Sequence, residues 1–108
     1  LTPADFTDGS RTAALVQRIR GGEPVSGGSV YNAFERAAYD VFGGLGEYRR
    51  ALLDAGAAEA HLAGAGPTLF CLAGSEAGAR GILSRLRAPG GRALAARTIT
   101  AREAVACD

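Results

Sequence analysis

No lysine, methionine or tryptophan occurs among the 108 residues, and cysteine and histidine are scarce, at two and one. Without lysine there is no Walker-type phosphate loop, no Schiff base and no lysine general base. Cys71 lies in the apolar run Leu69-Phe70-Cys71-Leu72 and reads as a small buried hydrophobe, while Cys107 stands next to the last residue. So placed, the two thiols give no disulfide framework, and with His61 they match no familiar metal spacing, so no metal ligand is expected. A reducing, cytoplasmic setting is expected. Excess charge of one sign is missing too: 12 basic residues face 11 acidic ones, for a net charge of +1. An electrostatic nucleic-acid binder needs clustered positive charge, and a membrane helix needs roughly 20 apolar residues in a row. Neither is present, so nucleic acid and membrane are not expected partners. The opening LTPADFTDGS shows no basic stretch followed by an apolar one.

What is abundant is small and apolar. Hydrophobic residues make up 47% of the chain, enough for a core and too many for disorder. The length fits a single domain over residues 1–108. A start without methionine points to a processed chain or to a front part that lies elsewhere.

The hydrophobic spacing predicts mostly helices. Asp8 or Ser10 can cap a first helix running to about Arg20, with Leu15 and Ile19 on one face, and Gly21-Gly22 ends it. Val30, Phe34, Ala37, Ala38, Val41 and Phe42 fit one buried face of a second helix. Asn32 and Glu35 have the spacing of a capping box, so Asn32 reads as a structural cap, more than as a ligand. Leu45, Tyr48, Leu52 and Ala55 mark a third helix that stops at Gly56. Ala57 to Ala63 and the apolar Thr68 to Ala73 read as strands, Ser75 caps a fourth helix, and Pro89-Gly90-Gly91 ends it. Arg92 to about Thr100 is a candidate last strand, with Leu94 and Ile99 on opposite parity. About four helices beside a mainly antiparallel sheet of about three strands make an α+β sandwich.

The segment Ala63-Gly64-Ala65-Gly66-Pro67-Thr68, between two candidate strands, stands apart. Small residues let a backbone approach a ligand, consecutive N–H groups can cradle phosphate oxygens, and Thr68 adds a hydroxyl. The same six residues also fit a tight hairpin whose glycines only satisfy positive φ. If the loop meets a ligand, a side chain at Gly66 should obstruct that approach and leave the packing intact.

The stretch from Tyr31 to Leu72 resembles the carboxy-terminal domain of GHMP-superfamily small-molecule kinases. The resemblance rests on the Asn-x-hydrophobic-Glu start at Asn32 to Glu35, on Ala55 to Ala57 closing a helix, and on the glycine loop at Ala63 to Thr68. Pro3-Ala4-Asp5-Phe6 is similar as well. Where the family pattern has two loop serines, this chain has Ala63 and Ala65, so hydroxyl contacts there are lost while backbone contacts can survive. The resemblance implies a ferredoxin-like α/β sandwich, with a first strand and helix of the domain lacking. Within the superfamily it points to the kinase branch of non-mevalonate isoprenoid biosynthesis. It further implies a partner amino-terminal domain that carries the ATP loop, the catalytic Asp and the Lys. ATP and Mg²⁺ would serve the complete enzyme, and a small-molecule substrate would sit in the cleft. Gly64, Ala65, Gly66, Pro67 and Thr68 would form the substrate- and phosphate-side loop, and this chain alone would hold no catalytic residue and be inactive.

The remaining polar residues have plainer readings. His61 reads as a strand-face residue, and Arg49, Arg50, Arg85 and Arg87 as solvated helix faces, while Arg97 and Arg102 could approach a phosphate. The alternative to the kinase is a non-catalytic α+β module, sensing a small ligand or forming a homodimer through an exposed sheet edge.

Overall fold

The computed structural model describes residue 3, residues 8–87 and residues 90–106, with the side chains of 105 and 106 left aside. Residues 4–6 of the Pro3–Phe6 stretch, Pro89 and Cys107 lie outside the described residues.

Helix α1 spans Ser10–Arg20 and contains no buried residue. Asp8 accepts the Ser10 N–H at 2.9 Å just ahead of it. After Gly21 and Gly22 the chain runs through a 3₁₀ turn at Gly27–Ser29, closed by the Ser29 hydroxyl donating to the Ser26 carbonyl at 2.7 Å. Helix α2 spans Glu35–Val41 and α3 spans Leu45–Asp54. Gly44, at φ 85°, makes the sharp joint between them. α2 is shorter than the apolar spacing from Val30 suggests. Asn32 and Phe34 are drawn into a turn in which Asn32 Oδ1 accepts the Phe34 N–H at 2.9 Å, and regular helix begins only at Glu35. The capping box is thereby corrected: no side chain caps α2, and the Asn32 side chain is engaged elsewhere.

Strands β1, His61–Leu62, and β2, Leu69–Phe70, pair antiparallel with His61 opposite Phe70 and Leu62 opposite Leu69. The expected strands over 57–63 and 68–73 thus contract to two residues each. Helix α4 follows at Glu76–Arg85, capped by Ser75 Oγ, which accepts the Gly78 N–H at 3.0 Å. The third strand is not formed. Residues 92–100 have no regular structure and are exposed throughout. The parity conflict accounts for it: with Leu94 and Ile99 on opposite faces, no strand register buries both. A helix unforeseen in the sequence, α5 at Ala101–Ala106, comes instead. Thr100 Oγ1 accepts the Glu103 N–H and Glu103 Oε1 accepts the Thr100 N–H, both at 3.1 Å, a reciprocal cap that the spacing Thr100 to Glu103 encodes. The described residues therefore make an α+β arrangement of five α-helices and a two-stranded sheet, not four helices and three strands.

The core is small and local. Ala38 of α2, Leu45 of α3 and Leu62 of β1 are buried together, with Tyr39, Phe42 and Leu69 packed around them. Ala55, Ala57 and Ala60 are buried as well. Arg85 is exposed on α4, as a solvated face implies, and its Nε also donates to the Ala55 carbonyl at 2.8 Å, which ties the end of α4 to the end of α3. No helix among the described residues is long and apolar enough to cross a membrane.

Candidate functional site: a glycine hairpin loop on a buried base

Residues 63–68 connect β1 to β2 as a hairpin loop. The Ala63 N–H donates to the Thr68 carbonyl at 2.8 Å, and the Gly66 N–H donates to the Ala63 carbonyl at 3.1 Å. Gly64 and Gly66 both lie at positive φ, 58° and 90°, where an L side chain is strained, and the Gly66–Pro67 bond is cis. The loop has two sides. Gly64, Ala65, Pro67 and Thr68 are exposed, whereas Gly66 is half-buried. A Cβ on Gly66 would come within 3.0 Å of Leu62 Cδ1 and 3.1 Å of Phe42 Cε2. One on Gly64 would meet nothing within 4 Å. The expectation that a side chain at Gly66 spares the packing is therefore corrected, because Gly66 rests on the core, and the open glycine is Gly64.

The exposed tip has unspent donors. Among the described residues the N–H groups of Gly64 and Ala65 make no hydrogen bond, and Thr68 leaves its hydroxyl in solvent. Adjacent N–H groups on a fixed loop are a recurrent way to hold phosphate or carboxylate oxygens. Beside the tip lies an apolar depression of about 210 Å³, lined by Phe34, Ala37, Ala38, Val41, Phe42 and Ala65. It offers surface for an uncharged portion of a ligand next to donors for a charged one.

Asn32 belongs to this loop. Its Nδ2 donates to the carbonyls of both Leu62, at 2.9 Å, and Gly64, at 2.6 Å. The two partners are 30 and 32 residues away in sequence, so local spacing gave no sign of them.

His61 is nearly buried on β1, with Nε2 3.0 Å from Glu59 Oε2 and its ring 5.8 Å from that of Phe70. The carboxylate partner stands two residues upstream, and the strand-face reading accounts for the rest. Burial pushes the Tyr39 phenol up, with the nearby Glu35 charge adding to it. Burial likewise raises the Cys71 thiol, which makes it a poor nucleophile. Arg97 pairs with Glu103 at 3.0 Å beside α5. Among the described residues no three His, Cys, Asp or Glu side chains gather to hold a metal ion. The arrangement can bind and orient a ligand through its backbone.

Comparison with known proteins places the chain in a family. Residues 19–92 match the family model described as GHMP kinases C terminal. Relatives named 4-diphosphocytidyl-2-C-methyl-D-erythritol kinase, from two strains of Dehalococcoides mccartyi, are each 44% identical over 72 residues. That stretch is 67% of this chain and 25% of each relative. A third strain's protein of the same name is 43% identical over 67 residues, 62% of this chain and 23% of its own length. The chain thus spans about a quarter of the curated relatives it matches. No solved structure matches it significantly.

Proposed function

The chain belongs to the GHMP kinase C-terminal family, and we propose that it forms the substrate-side domain of a 4-diphosphocytidyl-2-C-methyl-D-erythritol kinase. In the complete enzyme a substrate hydroxyl oxygen bonds to the γ-phosphorus of ATP, the bond from that phosphorus to the β,γ-bridging oxygen breaks, and ADP leaves. The hydroxyl proton passes to a base on the amino-terminal domain. Mg²⁺ supplies charge neutralisation at the phosphates when bound. On this reading residues 1–108 act as one domain, a ferredoxin-like sandwich in its complete form, in a cytoplasmic enzyme of isoprenoid synthesis. Gly64 to Thr68 present backbone donors to the cleft, and the depression beside Ala65 receives an apolar part of the substrate.

The observation that carries the reading is the exposed pair of unspent N–H groups at Gly64 and Ala65 on a loop whose far side is seated against Phe42 and Leu62. Such a loop is fixed before a ligand arrives, which is the condition for orienting a phosphoryl acceptor. The test is ADP release with ATP, Mg²⁺ and the cytidyl substrate. The full-length protein should release ADP only when the substrate is present, and the 108-residue chain alone should match a protein-free control. Substrate-dependent release by the isolated chain, or none from the full-length protein, overturns the proposal. Each strand of the hairpin has a single partner among the described residues, so pairing with a second copy along an outer edge is the second reading. A dimer formed by a full-length protein that releases no ADP would favour it.

A further inference from the structure

The carboxamide of Asn32 spends every hydrogen-bonding direction it needs on one task. Its two Nδ2 protons go to the Leu62 and Gly64 carbonyls at 2.9 and 2.6 Å, and its Oδ1 accepts the Phe34 N–H at 2.9 Å. Leu62 ends β1, Gly64 is the first positive-φ residue of the loop, and Phe34 is the last residue before α2. One side chain therefore joins strand, loop and helix. Only an amide does this. A hydroxyl of Ser or Thr has one proton, and an Asp carboxylate has none and would set a charged oxygen against two carbonyl oxygens. With its carbonyl held, the Gly64 peptide is not free to flip, and the direction of the neighbouring N–H groups is fixed.

We propose that Asn32 is the positioning residue of the glycine loop, holding Gly64 so that the N–H groups at the loop tip face a ligand. This goes beyond the kinase reading and rests on it only for the turnover measurement described next. A helix cap and a loop clamp make opposite demands at this position. A cap needs only an oxygen, so Asp would serve as well as Asn and Ala would be the damaging change. A clamp needs the two protons, so Asp is the damaging change. Ala leaves the two carbonyls without a donor, the Gly64 one at the exposed loop tip, but sets no charged oxygen against them and is milder.

Two variants, Asn32→Asp and Asn32→Ala, decide between these in the 108-residue chain by the amide resonances of Gly64, Ala65 and Gly66. The clamp predicts that Asn32→Asp displaces these amides more than Asn32→Ala does, while the amides of Ala38 and Leu45 stay in place. The same ranking should hold in the full-length enzyme as a fall in kcat, on the order of 10²-fold for Asp, with the KM for ATP little changed. Loop amides unmoved in Asn32→Asp, or Ala worse than Asp, overturn the proposal. So does global unfolding of both variants, which would make Asn32 a support of the core. The resonances answer whether or not the full-length protein proves to be a kinase, so failure of that reading is told apart from failure of the clamp.

Discussion

Helices α2 and α3 are held in one way and helices α4 and α5 in another. α2 and α3 lack side-chain caps, yet each buries a residue, Ala38 and Leu45, against Leu62. α4 has a Ser75 cap and α5 the reciprocal Thr100–Glu103 cap, and α4 buries nothing. α1 is like α4, with Asp8 at its start and Ile19 56% exposed. Local hydrogen bonds can start a helix anywhere in the chain, but they do not tell it where to sit. Packing does, and here the packing gathers under the glycine hairpin. The region that carries the candidate site is built from long-range contacts, and the outer helices rest mainly on their own sequence, with the Arg85 bond to the Ala55 carbonyl tying α4 to the end of α3.

The strongest attempt to break this contrast is Leu62→Ala. Leu62 is 2% exposed, joins α2, α3 and the hairpin, and lends its carbonyl to Asn32. Its truncation should cost about 2–5 kcal/mol, a large share of the ~5–15 kcal/mol that stabilises an ordinary domain. Ile19→Ala removes as much hydrocarbon from the exposed face of α1 and should stay within about 0.5 kcal/mol. Denaturant melts of the two variants give both values. Equal losses would mean that α1 is packed as tightly as the hairpin base.

A finer test lies within the loop. Gly66→Ala and Gly64→Ala both force an alanine to positive φ, at about 1–2 kcal/mol each. Only at Gly66 does the new methyl also press on Leu62 and Phe42, 3.0 and 3.1 Å away. That crowding should add roughly 1–3 kcal/mol. If both variants melt alike, the base of the loop gives way more easily than its packing indicates.

The same contrast explains what the sequence made legible. The span of α3, the hairpin turn at Gly64–Pro67 and the Ser75 cap follow from signals within a few residues of one another, and these can be read directly. The α5 cap was equally readable in Thr100-Ala101-Arg102-Glu103, but a strand reading of residues 92–100 ran through it. Asn32 shows the opposite limit. Its spacing to Glu35 supplied a complete local explanation, while its real partners, the Leu62 and Gly64 carbonyls, lie across the fold. The Arg85 bond to the Ala55 carbonyl was hidden for the same reason, since nothing near Arg85 in sequence announces it.

The smallest expected effect separates the two kinds of outer cap. The Glu103 carboxyl is held below the ordinary glutamate range, first by the Thr100 N–H and then by Arg97. Asp8 is held below the aspartate range by Ser10 in the same way. A carboxyl whose pKa is lower folded than unfolded contributes stability above its unfolded pKa, and loses it as pH falls through the folded one. For α5 the contribution is therefore complete above the ordinary glutamate value of about 4.3 and disappears at more acidic pH. Asp8 is exposed and Glu103 half-exposed, so the effect is local and weakened by salt. The Ser75 hydroxyl that caps α4 does not titrate. Amide shifts followed from pH 7 to pH 3 should show Ala104, which donates to the Thr100 carbonyl at 2.9 Å, moving toward its unfolded position. Ala79, bonded to the Ser75 carbonyl at 3.0 Å in α4, should hold, and so should Ala38 in the core. If Ala79 moves as far as Ala104, acid loosens α4 too, where Arg80 donates to Glu76 Oε1 at 3.0 Å in the first turns, and the contrast between a carboxylate cap and a hydroxyl cap fails.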